Sequence, residues 1–176
     1  MKTKEALDLG IRYSLLVIFG IFLEVFYFVF RPLTIYSVYF ILNLIYGAGV
    51  FESSVILFGE RVFTIQIIDA CVAGSAYYLL LILNLTTPIN FDKRVKSLLF
   101  LISGFLILNI IRIVIFSVLF VNGFEYFDLA HRVVWYAGST IIVIVIWFVN
   151  VKVFKIREIP VYGDIKKIFK DVSRKR

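Results

Sequence analysis

Three side chains of this 176-residue chain could act together as a nucleophilic site: Cys71, the single cysteine; His131, the single histidine; and Arg112, set inside a long apolar run. A thiol attacks only as thiolate, and its pKa falls at a helix N-terminus or beside a cation. Cys71 lies in Ile65–Tyr78, where a strand-like alternation gives way to a long apolar run, with Asp69 suited to the helix cap. A free cysteine also packs as a small hydrophobe, so the residue alone does not decide. A guanidinium inside a membrane span costs at least ~2.5–3.5 kcal/mol, so Arg112 is either functional or paired, with Glu24 or Asp69 as partners. Asn109, three residues earlier, shares its helix face. His131 can move a proton near neutral pH, or sit as a hydrated residue at a helix mouth. Asp128, three residues before it, can orient the ring or cap the helix. A cysteine beside a base is a nucleophile–base arrangement, and a cation can hold the oxyanion of an acyl-transfer intermediate.

Other chemistries lack their residues. One cysteine and one histidine make at most half a zinc shell, and no glycine-rich phosphate loop follows a strand. Neither a metal nor a cofactor is expected. One cysteine also excludes an internal disulfide.

The elements that must position these residues are membrane elements. The chain is 61% hydrophobic and 18% aromatic, with a mean hydropathy of +0.97. Soluble domains are about 45–50% apolar. The expectation is an all-α integral membrane domain over 1–151, a helical bundle of four to five spans, followed by a basic tail over 152–176. Nine of the nineteen basic residues lie in that tail, Lys152–Arg176, which reads as a cytoplasmic segment facing anionic headgroups, with no nucleic-acid partner.

In chain order, Ile11–Phe30 reads as a retained first span, ended by Arg31-Pro32, and Glu24 inside it should face protein or be protonated. Leu33–Tyr46 is short for a span and rich in tyrosine, so an interfacial helix is favoured over a crossing. Two β-rich runs within Glu52–Asp69, around Gly59-Glu60, predict a hairpin outside the hydrocarbon or against its surface. Ala70–Thr87, Ser97–Phe120 and His131–Val151 are the remaining spans, separated by the loops Ile89–Lys96 and Val121–Asp128.

The positive-inside rule puts Lys93, Arg94, Lys96 and the tail in the cytoplasm, and Lys2 and Lys4 with them if Leu33–Tyr46 does not cross. Cys71 and His131 then open their helices at the extracytoplasmic face of the plasma membrane. Arg112 lies eight residues before Phe120, ~12 Å from the outer end of its helix.

With these residues in place, the chain resembles the exosortase/archaeosortase family of membrane transpeptidases, in its short archaeal form, over roughly Leu33–Val149. The matching pieces are a hairpin leading into Ala70-Cys71-Val72-Ala73-Gly74, then Asn109-Ile110-Ile111-Arg112, then Asp128-Leu129-Ala130-His131 with Gly138 beyond. Val72-Ala73 stand where the family often carries a hydroxyl residue, and the chain is shorter than the eight-span bacterial members. The resemblance implies that Cys71 is the nucleophile, Arg112 the stabilising cation and His131 the acid/base. It implies as partners secreted proteins whose C-terminal signal is a motif, a membrane helix and a basic cluster, and an amine acceptor such as a lipid headgroup. The alternatives are a cysteine protease that resolves the thioester with water, and a non-enzymatic transporter or assembly factor in which Arg112 binds an anion.

Overall fold

The computed structural model describes residues 3–59 and 61–175. Lys2, Glu60 and Arg176, used above for orientation, turn and tail, lie outside the described residues. Helix α1 (Thr3–Ile21) and helix α2 (Glu24–Tyr46) form a nearly continuous path. At Phe22-Leu23 the bonding tightens: Val25 N–H donates to Phe22 O and Phe26 N–H to Leu23 O, three residues back, while Leu23 keeps right-handed helical angles. Glu24 is exposed in the first turn of α2, where a carboxylate suits the helix dipole.

The boundary expected at Arg31-Pro32 is absent. Pro32 sits inside α2, and Leu33–Tyr46 is the second half of one 23-residue helix rather than a separate piece. A proline forfeits one helical hydrogen bond, which an apolar helix packed against neighbours tolerates. The helix ends at Gly47, whose positive φ of 69° turns the chain; Gly47 N–H donates to Asn43 O, and Ala48 N–H to the Asn43 side chain at 2.8 Å.

The hairpin expected within Glu52–Asp69 is present as strands β2 (Ser54–Phe58) and β3 (Val62–Gln66), and a further strand, β1 (Ala48–Phe51), joins them. The sheet is antiparallel in the order β1-β2-β3, with Val55 opposite both Val50 and Ile65. Alternation along β2 buries Val55 and Leu57 against α2.

The span expected over Ala70–Thr87 is broken. A single turn, α3 (Asp69–Val72), is followed by Ala73 in the left-handed region (φ 58°, ψ 46°), and then by α4 (Gly74–Leu85). Such a residue costs about 1–2 kcal/mol when it carries a Cβ. The bend is held by packing: Gly74 lies flat against the Tyr27 ring, where a Cβ would come within 2.7 Å. Tyr77, fully buried in α4, stacks on Phe30 at 3.7 Å and meets Phe105 edge-on.

Helices α5 (Phe91–Val121) and α6 (Phe127–Val153) pack along their length, with Ile146 seated against Gly104. At the end away from the sheet, Arg94 is not a free loop charge. It is 7% exposed in the first turn of α5 and donates to the carbonyls of Asn84, Leu85, Thr87 and Ile89. They lie at the end of α4 and in the loop after it, where Asn84 O also accepts from Thr87 N–H and Thr87 O from Ile89 N–H. The tail contains a helix, α7 (Tyr162–Lys175), whose buried Asp164 pairs with buried Arg12 at 3.0 Å. Among the described residues three helices, α2, α5 and α6, are long and apolar enough to cross a membrane. Many of the large apolar side chains on α2, α5 and α6 are exposed, as a lipid-facing surface requires.

Candidate active site

Cys71 is the third residue of the one-turn helix α3, immediately after the sheet. Its N–H donates to Ile68 O at 2.8 Å, so strand and helix are joined through that carbonyl. Because the chain turns left-handed at Ala73, the Cys71 and Val72 carbonyls have no partner further along a helix. Asn109 of α5 supplies one: its buried carboxamide donates to Cys71 O at 2.8 Å and also approaches Val72 O at 3.5 Å. Read from the sequence, Asn109 was a face-mate of Arg112; in the structure it positions the backbone that carries the thiol.

Arg112 reaches across to α6, where its Nη1 donates to Ser139 Oγ at 2.8 Å, close to Gly138. Neither expected partner pairs with it, and among the described residues it makes no ion pair. Glu24 is exposed at the α1–α2 junction, and Asp69 pairs with Arg31 of α2. Asp69 is also not the helix cap. That position belongs to Ile68, whose extended backbone leads from β3 into α3, and no side chain caps it.

His131 lies one turn into α6, not at its mouth, because the helix starts at Phe127. Its ring stacks on Phe127 (5.4 Å between centroids, 10° between planes) and is flanked by Phe116 and Trp135. Phe127, His131 and Trp135 recur every four residues and so share one helix face. Asp128 neither orients the ring nor caps the helix: Tyr126 is the cap, no side-chain bond is made there, and Asp128 is exposed.

Cys71, Arg112 and His131 line one cavity of about 250 Å³, together with residues of β3 and the aromatic rings of α5 and α6. Asn109, Asp69 and Asp128 do not line it. The cavity therefore holds a thiol, a guanidinium and an imidazole within largely apolar walls. Among the described residues no cluster of three metal-ligating side chains occurs. Sequence reasoning missed Ser139 and Arg31, which carry no local motif. The four-residue spacing of Phe127 and Trp135 around His131 was the readable signal for the aromatic wall.

The fold and this cavity define a class: a helical chain with three helices of membrane-crossing length and a small antiparallel sheet set beside a site with one thiol, one guanidinium and one imidazole. No protein-family model matches the chain, no curated protein matches it, and no solved structure matches it.

Proposed function

We propose that the chain is a cysteine-dependent protein-sorting transpeptidase of the plasma membrane, acting on secreted proteins that end in a membrane-anchoring signal. The observation that carries this reading is the shared cavity of Cys71, Arg112 and His131. The Cys71 thiolate adds to the scissile carbonyl, forming a C–S bond, and Arg112 offsets the charge of the oxyanion. Collapse breaks the C–N bond, His131 gives its proton to the departing amine, and a thioester remains. An acceptor amine, such as that of a lipid headgroup, then adds to the thioester. His131 takes its proton, the C–S bond breaks, and a new amide and the thiolate result.

The reading includes four crossings: the α1–α2 path, the α3–α4 segment, α5 and α6. Supporting it, Arg12 contacts Leu85 O while Arg31 contacts Asp69, so the first path runs antiparallel to α3–α4 over nineteen residues, ~28 Å of helix, about one hydrocarbon thickness. The second half of α2 shares a groove with Ile107, Ile110 and Ile111 of α5, at the level of Asn109 and Cys71. The sheet and cavity then face the extracytoplasmic side, and Lys93, Lys96 and the tail face the cytoplasm.

Co-expression with a secreted protein bearing such a C-terminal signal tests the function. The wild-type chain converts precursor to a processed, lipid-linked form, and Cys71→Ala, Cys71→Ser, Arg112→Ala and His131→Ala each leave it uncleaved. Full processing by Cys71→Ala overturns the proposal.

A further inference from the structure

Strand β3 is an edge of its sheet, and its open side faces the cavity. Residues Thr64, Ile65, Gln66, Ile67 and Ile68 all line that cavity, and Cys71 follows Gln66 by five positions. Two hydrogen bonds set the phase of the main chain. Phe58 N–H donates to Gly47 O at 2.9 Å, and Ile67 N–H donates to Ser53 O at 2.8 Å. In an antiparallel ladder the pairing alternates, so Ser54, Ile56 and Phe58 direct their peptide groups to β1, and Val55 and Leu57 direct theirs to β3. Phe63, Ile65 and Ile67 therefore use their peptide groups on β2. Thr64 and Gln66 turn theirs the other way, to the open edge.

An edge of this kind presents donors and acceptors at strand spacing, and beside apolar walls it needs a cover. Opposite it stand Phe116 and Phe120 of α5 and Phe127 of α6, with Phe120 packed against Phe63 of β3 itself. The complementarity is that of a peptide backbone: hydrogen bonds along one side and apolar surface for alternate side chains along the other.

Resting on the reading of Cys71 as a nucleophile, we propose that the cavity binds its substrate as an extended peptide strand paired to β3 through the main chain of Thr64 and Gln66. The edge fixes the register of the peptide, and continuation of the same backbone through Ile68 into α3 sets the thiol beside the bond to be cut. Recognition next to the scissile bond is then largely of backbone shape, with side-chain preference set by the aromatic wall.

The test uses the full chain in lipid nanodiscs and acetyl-Ala-Ala-Val-Ala chloromethyl ketone as probe, with four analogues that each carry one N-methyl group. Alkylation of Cys71 is followed by intact mass and normalised to iodoacetamide. Strand pairing predicts an alternation: methylation at every second amide slows alkylation at least tenfold, and the intervening analogues stay within about twofold of the parent. Rates that fall within twofold for all five probes overturn the proposal while leaving the nucleophile intact. A Cys71 that reacts with neither iodoacetamide nor any peptide probe removes the nucleophile reading, and this one with it. Thr64→Pro deletes an outward N–H that β2 does not use, a substitution edge strands accept. It is expected to lower the alkylation rate of the unmethylated probe relative to iodoacetamide at least threefold, because that N–H would hold a carbonyl of the bound peptide, and an unchanged ratio in that variant overturns the proposal. Should that variant not fold, the methylated series on the wild-type chain still decides.

Discussion

The side-chain amide of Asn109 donates to the carbonyl oxygen of Cys71 at 2.8 Å, across 38 positions of sequence. The only thiol thus stands on a single helical turn whose orphan carbonyls are held by a neighbouring span. Helix α3 is too short to be stable alone, so the position of Cys71 depends on this bond, on the Ile68 carbonyl and on the Tyr27–Gly74 contact.

Asn109→Leu keeps the volume and removes the donor. It leaves buried carbonyls facing a methyl group, an unsatisfied contact that costs about 1–3 kcal/mol. The expected result is a lowered unfolding temperature together with slower alkylation of Cys71, whereas Asn109→Gln should recover part of the rate. A stable variant with wild-type alkylation would show that α3 holds its thiol without this bond.

Arg112 is held by Ser139 of α6, beside Gly138, where a Cβ would press on Val134 Cγ1 at 2.7 Å but meet Arg112 Nη1 only at ordinary contact distance, 3.8 Å. Hydrogen bonds to charged groups contribute about 1.5–3 kcal/mol. Ser139→Ala is expected to lower the rate of precursor processing roughly tenfold or more with little change in substrate affinity, measured as kcat against KM. Arg112→Lys should fare no better than Arg112→Ala, because an ammonium is a point charge without the planar fork that reaches both Ser139 and the cavity.

At the far end, Arg12 and Asp164 form a buried pair that also engages Leu85 O and ties α7 to α1 and α4. Removing Asp164 leaves the buried Arg12 charge with only the exposed Asp8 carboxylate, 3.1 Å away, and breaking a buried pair costs about 3–5 kcal/mol. Asp164→Ala should therefore lower thermal stability more than the double variant Arg12→Met/Asp164→Leu. In folded protein, neither should alter the alkylation rate of Cys71, since the pair lies at the opposite end of α4. Thermal unfolding in detergent and thiol labelling check both halves.

Much of the layout was readable in advance. Apolar run length marked α5 and α6 to within a few residues at their C-terminal ends, because hydrophobic content over about twenty residues is what a bilayer demands. The β2–β3 pair followed from its alternation and turn. Proline 32 misled, since the same residue opens a helix or sits within one, and the choice is made by what packs on either side. Strand β1 was hidden by Gly47-Ala48-Gly49, which reads as a breaker until β2 is there to pair with it. The charge of Arg94 pointed to an exposed loop, yet its four carbonyl partners bury it.

Residue types and local periodicity by themselves determined which side chains can do chemistry, Cys71, Arg112 and His131, and that lipid-length helices carry two of them. Those are properties of single residues and of short windows. Tertiary structure alone decided that the three share a cavity, that Ala73 breaks the helix after one turn, that Asn109 rather than Asp69 supports the thiol, and that β3 leaves its edge open beside it. A left-handed alanine, an orphan carbonyl and an unpaired strand edge have no signature in the chain that forms them. Each exists only because a residue distant in sequence is, or is not, there to meet it.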